Sequence, residues 1–270
     1  MSNSQKFSKI LGLATALVLP LVLSCGGGGK SDKNGGDGSG VTPGGGHVYV
    51  AGGYRNSTPI LWKDGSPTIL DSAGASYCEL NSVFVSGSGD VYVAGWLEYK
   101  IGYYATLWKN GTPTRLGTST SAYMSEASSV FVSGNDVYVA GMEVELVGDF
   151  GYGRPTLWKN GIPTRLGTST SAYTSEASSV FVSGNNVYVA GTETDRFSNS
   201  SYRKYPTLWK NGVHTRLSLN DSEVYSVFVS GNDVYVAGSL SDSKWNSTLW
   251  KNDSATLLPS GTYAASVYVR

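Results

Sequence analysis

One five-residue string limits the folds open to this chain more than any other feature: Val-Tyr-Val-Ala-Gly begins at Val48, Val91, Val137, Val187 and Val234. The spacing, roughly 43–50 residues, is that of a small supersecondary unit repeated along the chain. Other strings keep step with it. Leu-Trp-Lys recurs at Leu61, Leu107, Leu157, Leu208 and Leu249, and a Thr-x-Leu element follows each. Ser-Val-Phe-Val recurs at Ser82, Ser129, Ser179 and Ser226, with Ser-Val-Tyr-Val at Ser266. Residues 106–141 and 156–191 differ only at Thr112/Ile162, Met124/Thr174 and Asp136/Asn186.

Each unit reads as four short strands. In the third copy they cover 129–133, 137–141, 156–159 and 164–166, with a long variable loop between the second and third. Gly134-Asn135 and Asn160-Gly161 are tight hairpin turns, the second being the strongest short-range hairpin signal. The first two strands are apolar on both faces, with Val130 and Val132 on one side and Phe131 on the other. A sheet wet on one face alternates apolar and polar residues, so these sheets are expected to be covered twice. Sheets packed face to face around an axis meet that demand. The first unit lacks its first strand, and the chain supplies one at residues 266–269. Pairing the two ends completes a fifth blade and removes the open edges that a solenoid would have to cap. The expectation is an all-β, five-bladed β-propeller over residues 47–270, closed by pairing the N-terminal strands with the C-terminal strand.

In strand order, and in the Gly that closes each second strand, the repeats resemble kelch-type and other bacterial β-propeller repeats. The kelch double glycine stands only at Gly52-Gly53, and neither WD dipeptides nor sialidase-type Asp boxes are present. The near-identical blades are similar in architecture to five-bladed tachylectin-type lectins, but that family's binding motif is missing. What the resemblance implies is therefore a fold, not an activity.

Ahead of the repeats, Lys6 and Lys9 precede an apolar run at residues 10–23. The run is too short to cross a bilayer comfortably and suits a signal peptide over residues 1–24. Leu21-Val22-Leu23-Ser24-Cys25 resembles a bacterial lipobox, which implies that Cys25 is the lipid-carrying first residue of an exported, envelope-anchored protein. Gly26 after the cysteine implies the outer membrane or cell surface. About half of residues 25–46 are Gly, so this stretch is expected to act as a flexible tether with an r.m.s. reach of roughly 25 Å.

Lys plus Arg and Asp plus Glu are equal at 20 each, and losing Lys6 and Lys9 leaves about 18 − 20 = −2. Such a balance gives no basic face for nucleic acid. With Cys25 lipidated, Cys78 cannot form an intrachain disulfide, and two histidines cannot build a zinc site. No cofactor or metal is expected, Cys78 reads as a structural thiol, and the chain as a monomer.

The tight turns lie at one end of every blade, and the variable segments at the other. That second end is the candidate ligand face. Its aromatic candidates are Trp96, Tyr99, Tyr103, Tyr104, Tyr152, Tyr202 and Tyr205, with Tyr54, Phe150, Phe197 and Trp245 nearby. Exposed aromatics stack on sugar rings or anchor proteins, and they also roof the blade beneath them. Glu79, Glu126, Glu176 and Glu223 recur three residues before the inner-strand Ser, with Tyr263 in the fifth copy. They are channel-rim candidates for a cation or amine. Structural pairing with Arg115, Arg165 and Arg216 is the expectation that competes with it. Trp62, Trp108, Trp158, Trp209 and Trp250 read as packing between blades. The function expected is a binding or interaction module for a glycan or protein. The alternative is a glycoside hydrolase or other hydrolase with an acidic site at the channel mouth, which needs two unlike carboxylates.

Overall fold

The computed structural model describes residues 46–53, 58–118, 122–167, 172–196, 201–241, 245–259 and 264–270. Within them the chain forms five antiparallel sheets in sequence order. The first holds β1 (Tyr49–Gly53), β2 (Pro59–Lys63) and β3 (Ser66–Ile69). The second holds β4 (Tyr77–Val85), β5 (Val91–Tyr99), β6 (Gly102–Lys109) and β7 (Thr112–Arg115). β8 (Ala122–Ser133), β9 (Asp136–Val147), β10 (Phe150–Lys159) and β11 (Ile162–Arg165) make the third. β12 (Ala172–Ser183), β13 (Asn186–Arg196), β14 (Tyr202–Lys210) and β15 (Val213–Arg216) make the fourth. The fifth comprises β16 (Ser222–Ser230), β17 (Asp233–Ser241), β18 (Trp245–Lys251) and β19 (Ser254–Leu257).

The repeated strings explain the local structure. Asn110, Asn160, Asn211 and Asn252 take left-handed φ angles of 46–52°, as the tight turn between third and fourth strands requires. Each side chain also ties that turn to the second strand. Asn160 Oδ1 accepts from the Val137 amide at 2.9 Å, while its Nδ2 donates to Asp136 at 2.8 Å. Asp64 and His47 play this part in the first sheet.

The core lies between sheets. Tyr92, Ala94, Ala105 and Leu116 of the second sheet pack on Ala127, Val130, Val139 and Trp158 of the third. Equivalent clusters join the other neighbours. Trp108, Trp158, Trp209 and Trp250 are buried, in line with the packing role expected of them. Two of them also bond across the joint, Trp108 Nε1 to the Asp71 carbonyl and Trp158 Nε1 to the Gly117 carbonyl, both at 2.7 Å. Trp62 is only half-buried.

The inner strands explain the invariant Ser. Ser82, Ser129 and Ser179 Oγ accept from the Val130, Val180 and Val227 amides of the next sheet at 3.1–3.2 Å. Ser226 does the same for Val267 at 3.2 Å. Alongside runs a collar of rings, Phe84, Phe131, Phe181, Phe228 and Tyr268, with centroids 4.8–5.1 Å apart. The C-terminal segment 264–270 thus makes the blade-to-blade contacts of an inner strand. It carries no ladder to β1, so the first sheet has three strands rather than the expected four.

A second correction concerns the variable loops. In the third sheet the expected loop is a continued hairpin, with β9 and β10 paired from Tyr138–Lys159 up to Val147–Phe150. Only Gly148 and Asp149 turn the chain. Met142-Glu143-Val144-Glu145-Leu146 alternates with a period of two, the signature of a strand, and extends the ladder.

A candidate binding site at the loop-rich end

The glycine of Val-Tyr-Val-Ala-Gly places the glutamates. A β-carbon on Gly95, Gly141, Gly191 or Gly238 would overlap the carbonyl oxygen of Glu79, Glu126, Glu176 or Glu223. At that point each inner strand shifts register, between Leu80/Ser82, Ala127/Ser129, Ala177/Ser179 and Val224/Ser226. The bulge needs a partner without a side chain.

Inner strands of successive sheets lie against one another, so the four glutamates gather near a common axis. Glu176 is exposed, and the other three are half-buried. Partial enclosure by protein disfavours the charged form of a carboxyl. Glu126 is pushed up from 4.5 to about 7 by burial, then by the charges of Glu176 and Glu79, against a Tyr103 hydrogen bond. Burial raises Glu79. It also raises Glu176, where Lys204 opposes the shift and Glu223 adds to it. Burial acts on Glu223 as well, but the Lys204 ammonium and the Tyr225 hydroxyl, 2.5 Å from its Oε2, outweigh it and hold the carboxylate charged.

These differences come from the preceding sheet. Tyr103, Gly153 and Lys204 stand three residues before equivalent threonines, Thr106, Thr156 and Thr207. Tyr103 meets Glu126 with a hydroxyl and Lys204 meets Glu223 with a cation, while Gly153 at the equivalent position of the third sheet has no side chain to offer.

A pH dependence follows. A carboxyl whose pKa is higher folded than unfolded contributes stability that is whole below its unfolded pKa and lost as pH rises through the folded one. For Glu126 the window runs from about 4.5 to about 7. The melting temperature should fall across it, and Glu126→Gln should flatten the fall. Thermal melts of the variant that keep the full slope would assign it to other groups.

The arginines do not pair with these glutamates. Arg115 lies over the Tyr104 ring at 3.3 Å. Arg165 and Arg154 each reach Glu145 at 3.1 Å. Arg216 bonds Asp195 at 2.5 Å, meets Glu193 at 3.5 Å and lies over Tyr205 at 4.1 Å. The fourth strand leaves its Arg beside the extended hairpin of its own blade, so Glu145, Glu193 and Asp195 capture it. Reading those residues as loop concealed this pairing.

The seven aromatic candidates do not form one surface. Trp96 is half-buried between Tyr77 at 5.2 Å, nearly parallel, and Tyr103 at 5.4 Å. Glu79 pairs with Trp96 in the ladder, and the Tyr103 hydroxyl bonds Glu126, so this stack adjoins the carboxylates. Tyr77, 39% exposed, ends the stack and was absent from the sequence candidates because it sits on the inner strand. Tyr99 is half-buried against Tyr104, which is itself buried beneath Arg115 and belongs to the packing. Tyr152 and Tyr205 are half-buried beside Arg154 and Arg216, while Tyr202 and Phe150 are exposed. Tyr54, Phe197 and Tyr263 lie outside the described residues, as do Cys25 and the tether up to residue 45. Cys78 is buried, and burial with the Glu79 charge pushes its thiol up to about 11. Among the described residues no three His, Cys, Asp or Glu side chains are arranged to hold a metal ion.

The architecture has solved counterparts. A putative TolB from Agrobacterium tumefaciens superposes with a TM-score of 0.52 at 14% identity, over 80% of this chain and 78% of that one. The fold is a β-propeller. The β-propeller domain of the Trilobed protease from Pyrococcus furiosus matches with a TM-score of 0.48 at 12% identity, over 80% of this chain and 66% of that one. This chain thus spans slightly under two thirds of that structure. No family model and no curated protein matches the chain. At these identities the likeness concerns the fold alone.

Proposed function

We propose that this propeller is a binding module that takes a glycan at the loop-rich end, and that it is held at a bacterial envelope by lipid on Cys25. The observation carrying the reading is the Tyr77–Trp96–Tyr103 stack beside Glu79 and Glu126. An exposed ring gives a sugar face a platform, and adjacent carboxyls accept from its hydroxyls. The anchor rests on the lipobox-like run. Closure of the ring is part of the same reading. By the register of the other blades, Ser266, Val267, Tyr268 and Val269 would pair with Ala51, Val50, Tyr49 and Val48.

The test is a screen of the soluble domain against envelope glycans and extracellular proteins. Tyr77→Ala or Trp96→Ala should weaken a glycan by about 2 kcal/mol, the scale of a hot spot. Tyr104→Ala should lower stability instead. Binding that survives both Tyr77→Ala and Trp96→Ala, or a protein ligand alone, would refute the glycan reading.

One observation favours the hydrolase. The repeated glutamates are unlike after all, with Glu126 raised and Glu223 held charged. An acid and a base at one site need that inequality. Turnover of chromogenic glycosides, lost in Glu126→Gln, would favour this reading over simple binding.

A further inference from the structure

We propose that the Tyr77–Trp96–Tyr103 site selects a glycan bearing a free ammonium group, the chemistry of a de-N-acetylated amino sugar, over a neutral glycan. The inference rests on the glycan reading above and adds the charge of the ligand.

The ladder builds the site on one face of the second sheet. Residues directly opposite one another in an antiparallel pair point to the same side, as do residues two apart on a strand. Tyr77 lies opposite Glu98, Glu79 opposite Trp96, and Glu98 opposite Tyr103. Three rings and two carboxylates therefore share that face. A third carboxyl, Glu126, comes from the next sheet to take the Tyr103 hydroxyl. Tyr77 and Glu98 are exposed, while Trp96, Tyr103 and Glu79 are half-buried, so a ligand that reaches the end ring meets a carboxylate beside it.

Packing does not ask for these side chains. What the blades need recurs in each copy, yet the places of Tyr77, Trp96, Glu98 and Tyr103 hold Met124, Met142, Val144 and Gly153 in the third sheet. In the fourth, Trp96, Glu98 and Tyr103 give way to Thr192, Thr194 and Lys204. Of these three sheets, only the second combines the rings with the carboxylates.

The electrostatics are one-sided. Among the described residues no ion pair reaches Glu79, Glu98 or Glu126. Burial raises the Tyr77 hydroxyl, and the Glu79 and Glu98 charges raise it further. Burial likewise raises Tyr103, with Glu126 and Glu98 adding to it. Ring faces attract a cation, Trp most strongly, and carboxylates accept its N–H groups with charge assistance. An ammonium on the sugar draws on both attractions, and a neutral acetamide forgoes them.

The experiment titrates the full-length protein with a deacetylated chitosan oligosaccharide and with the N-acetylated chitin oligosaccharide of the same length. Mildly acid buffer of low ionic strength keeps the amines charged and the attraction unscreened. The amine form is expected to bind about tenfold tighter, from a cation–π contact and two carboxylates that water screens in part. Glu79→Gln and Glu98→Gln together should reduce that ratio to about threefold or less. Asp149→Asn, which removes an exposed charge at the hairpin tip of the third sheet, should leave it as it was. Equal affinities for the two sugars overturn the charge preference and leave the glycan reading standing. A preference that survives the double change, or that Asp149→Asn removes as well, overturns the assignment to these carboxylates. If neither sugar binds, the inference fails, and the glycan reading falls with it only where the envelope glycans of the screen fail too. Oligolysine bound in their stead would give the site to a basic protein segment.

Discussion

Deleting residues 264–270 should lower the stability of the domain by about 3 kcal/mol or more, whereas deleting the tether should change it by less than about 0.5 kcal/mol. The truncation removes the amide that Ser226 accepts from and the Tyr268 ring at 5.1 Å from Phe228. It also uncovers the inner strand of the fifth sheet. A part-buried hydrogen bond and an aromatic contact contribute about 1 kcal/mol each, and the partial burial of Val267, Val269 and Tyr268 adds the rest. Urea denaturation of the two deletions beside the full domain is the measurement. Equal, small changes would mean that the segment closes nothing. Gly52→Ala then reports on the ladder itself. With the β1 edge open, its new β-carbon meets only the Trp62 ring at 3.3 Å, and the change is mild. With the terminal strand laddered to β1, it costs as much as the same change in a complete sheet.

That reference value is the second large effect. Gly141→Ala should cost about 2–4 kcal/mol, because the added methyl overlaps the Glu126 carbonyl oxygen and backbone cannot yield as a flexible side chain does. Gly87→Ala, with nothing within 4 Å, is the control and should fall within about 0.5 kcal/mol of the parent. Because the bulge fixes Glu126, Gly141→Ala should also flatten the fall in melting temperature between pH about 4.5 and about 7. A Gly141→Ala protein as stable as Gly87→Ala would mean that the bulge adapts freely, and the account of why the glycine recurs would fail.

Several features of the site are legible in the sequence alone. The recurrence of Glu three residues before Ser placed Glu79, Glu126, Glu176 and Glu223 together, and they do influence one another's charge. Four of the five repeated Trp residues, Trp108, Trp158, Trp209 and Trp250, are buried between sheets as the packing reading expects. The hairpin extensions were misread, because Gly151, Gly153 and Pro155 look like loop residues within β10. There the ladder to β9 overrides local propensity. Arg165 and Arg216 were assigned to the wrong carboxylates for the same reason, since the residues that capture them had been counted as loop.

By itself the sequence determined the number of sheets, the strand order within each, the tight turns and the position of the bulge glycine. All of these are contacts between residues close in the chain, so a repeating pattern records them directly. Only the tertiary structure decided what each repeated group meets in the next sheet. Ser accepts an amide across the joint, and of the identical glutamates Glu126 is met by the Tyr103 hydroxyl and Glu223 by the Lys204 ammonium. Tyr77 comes to stack on Trp96 from the neighbouring strand. Such contacts depend on how sheets and strands lie against one another in space, and a period along the chain carries no record of that.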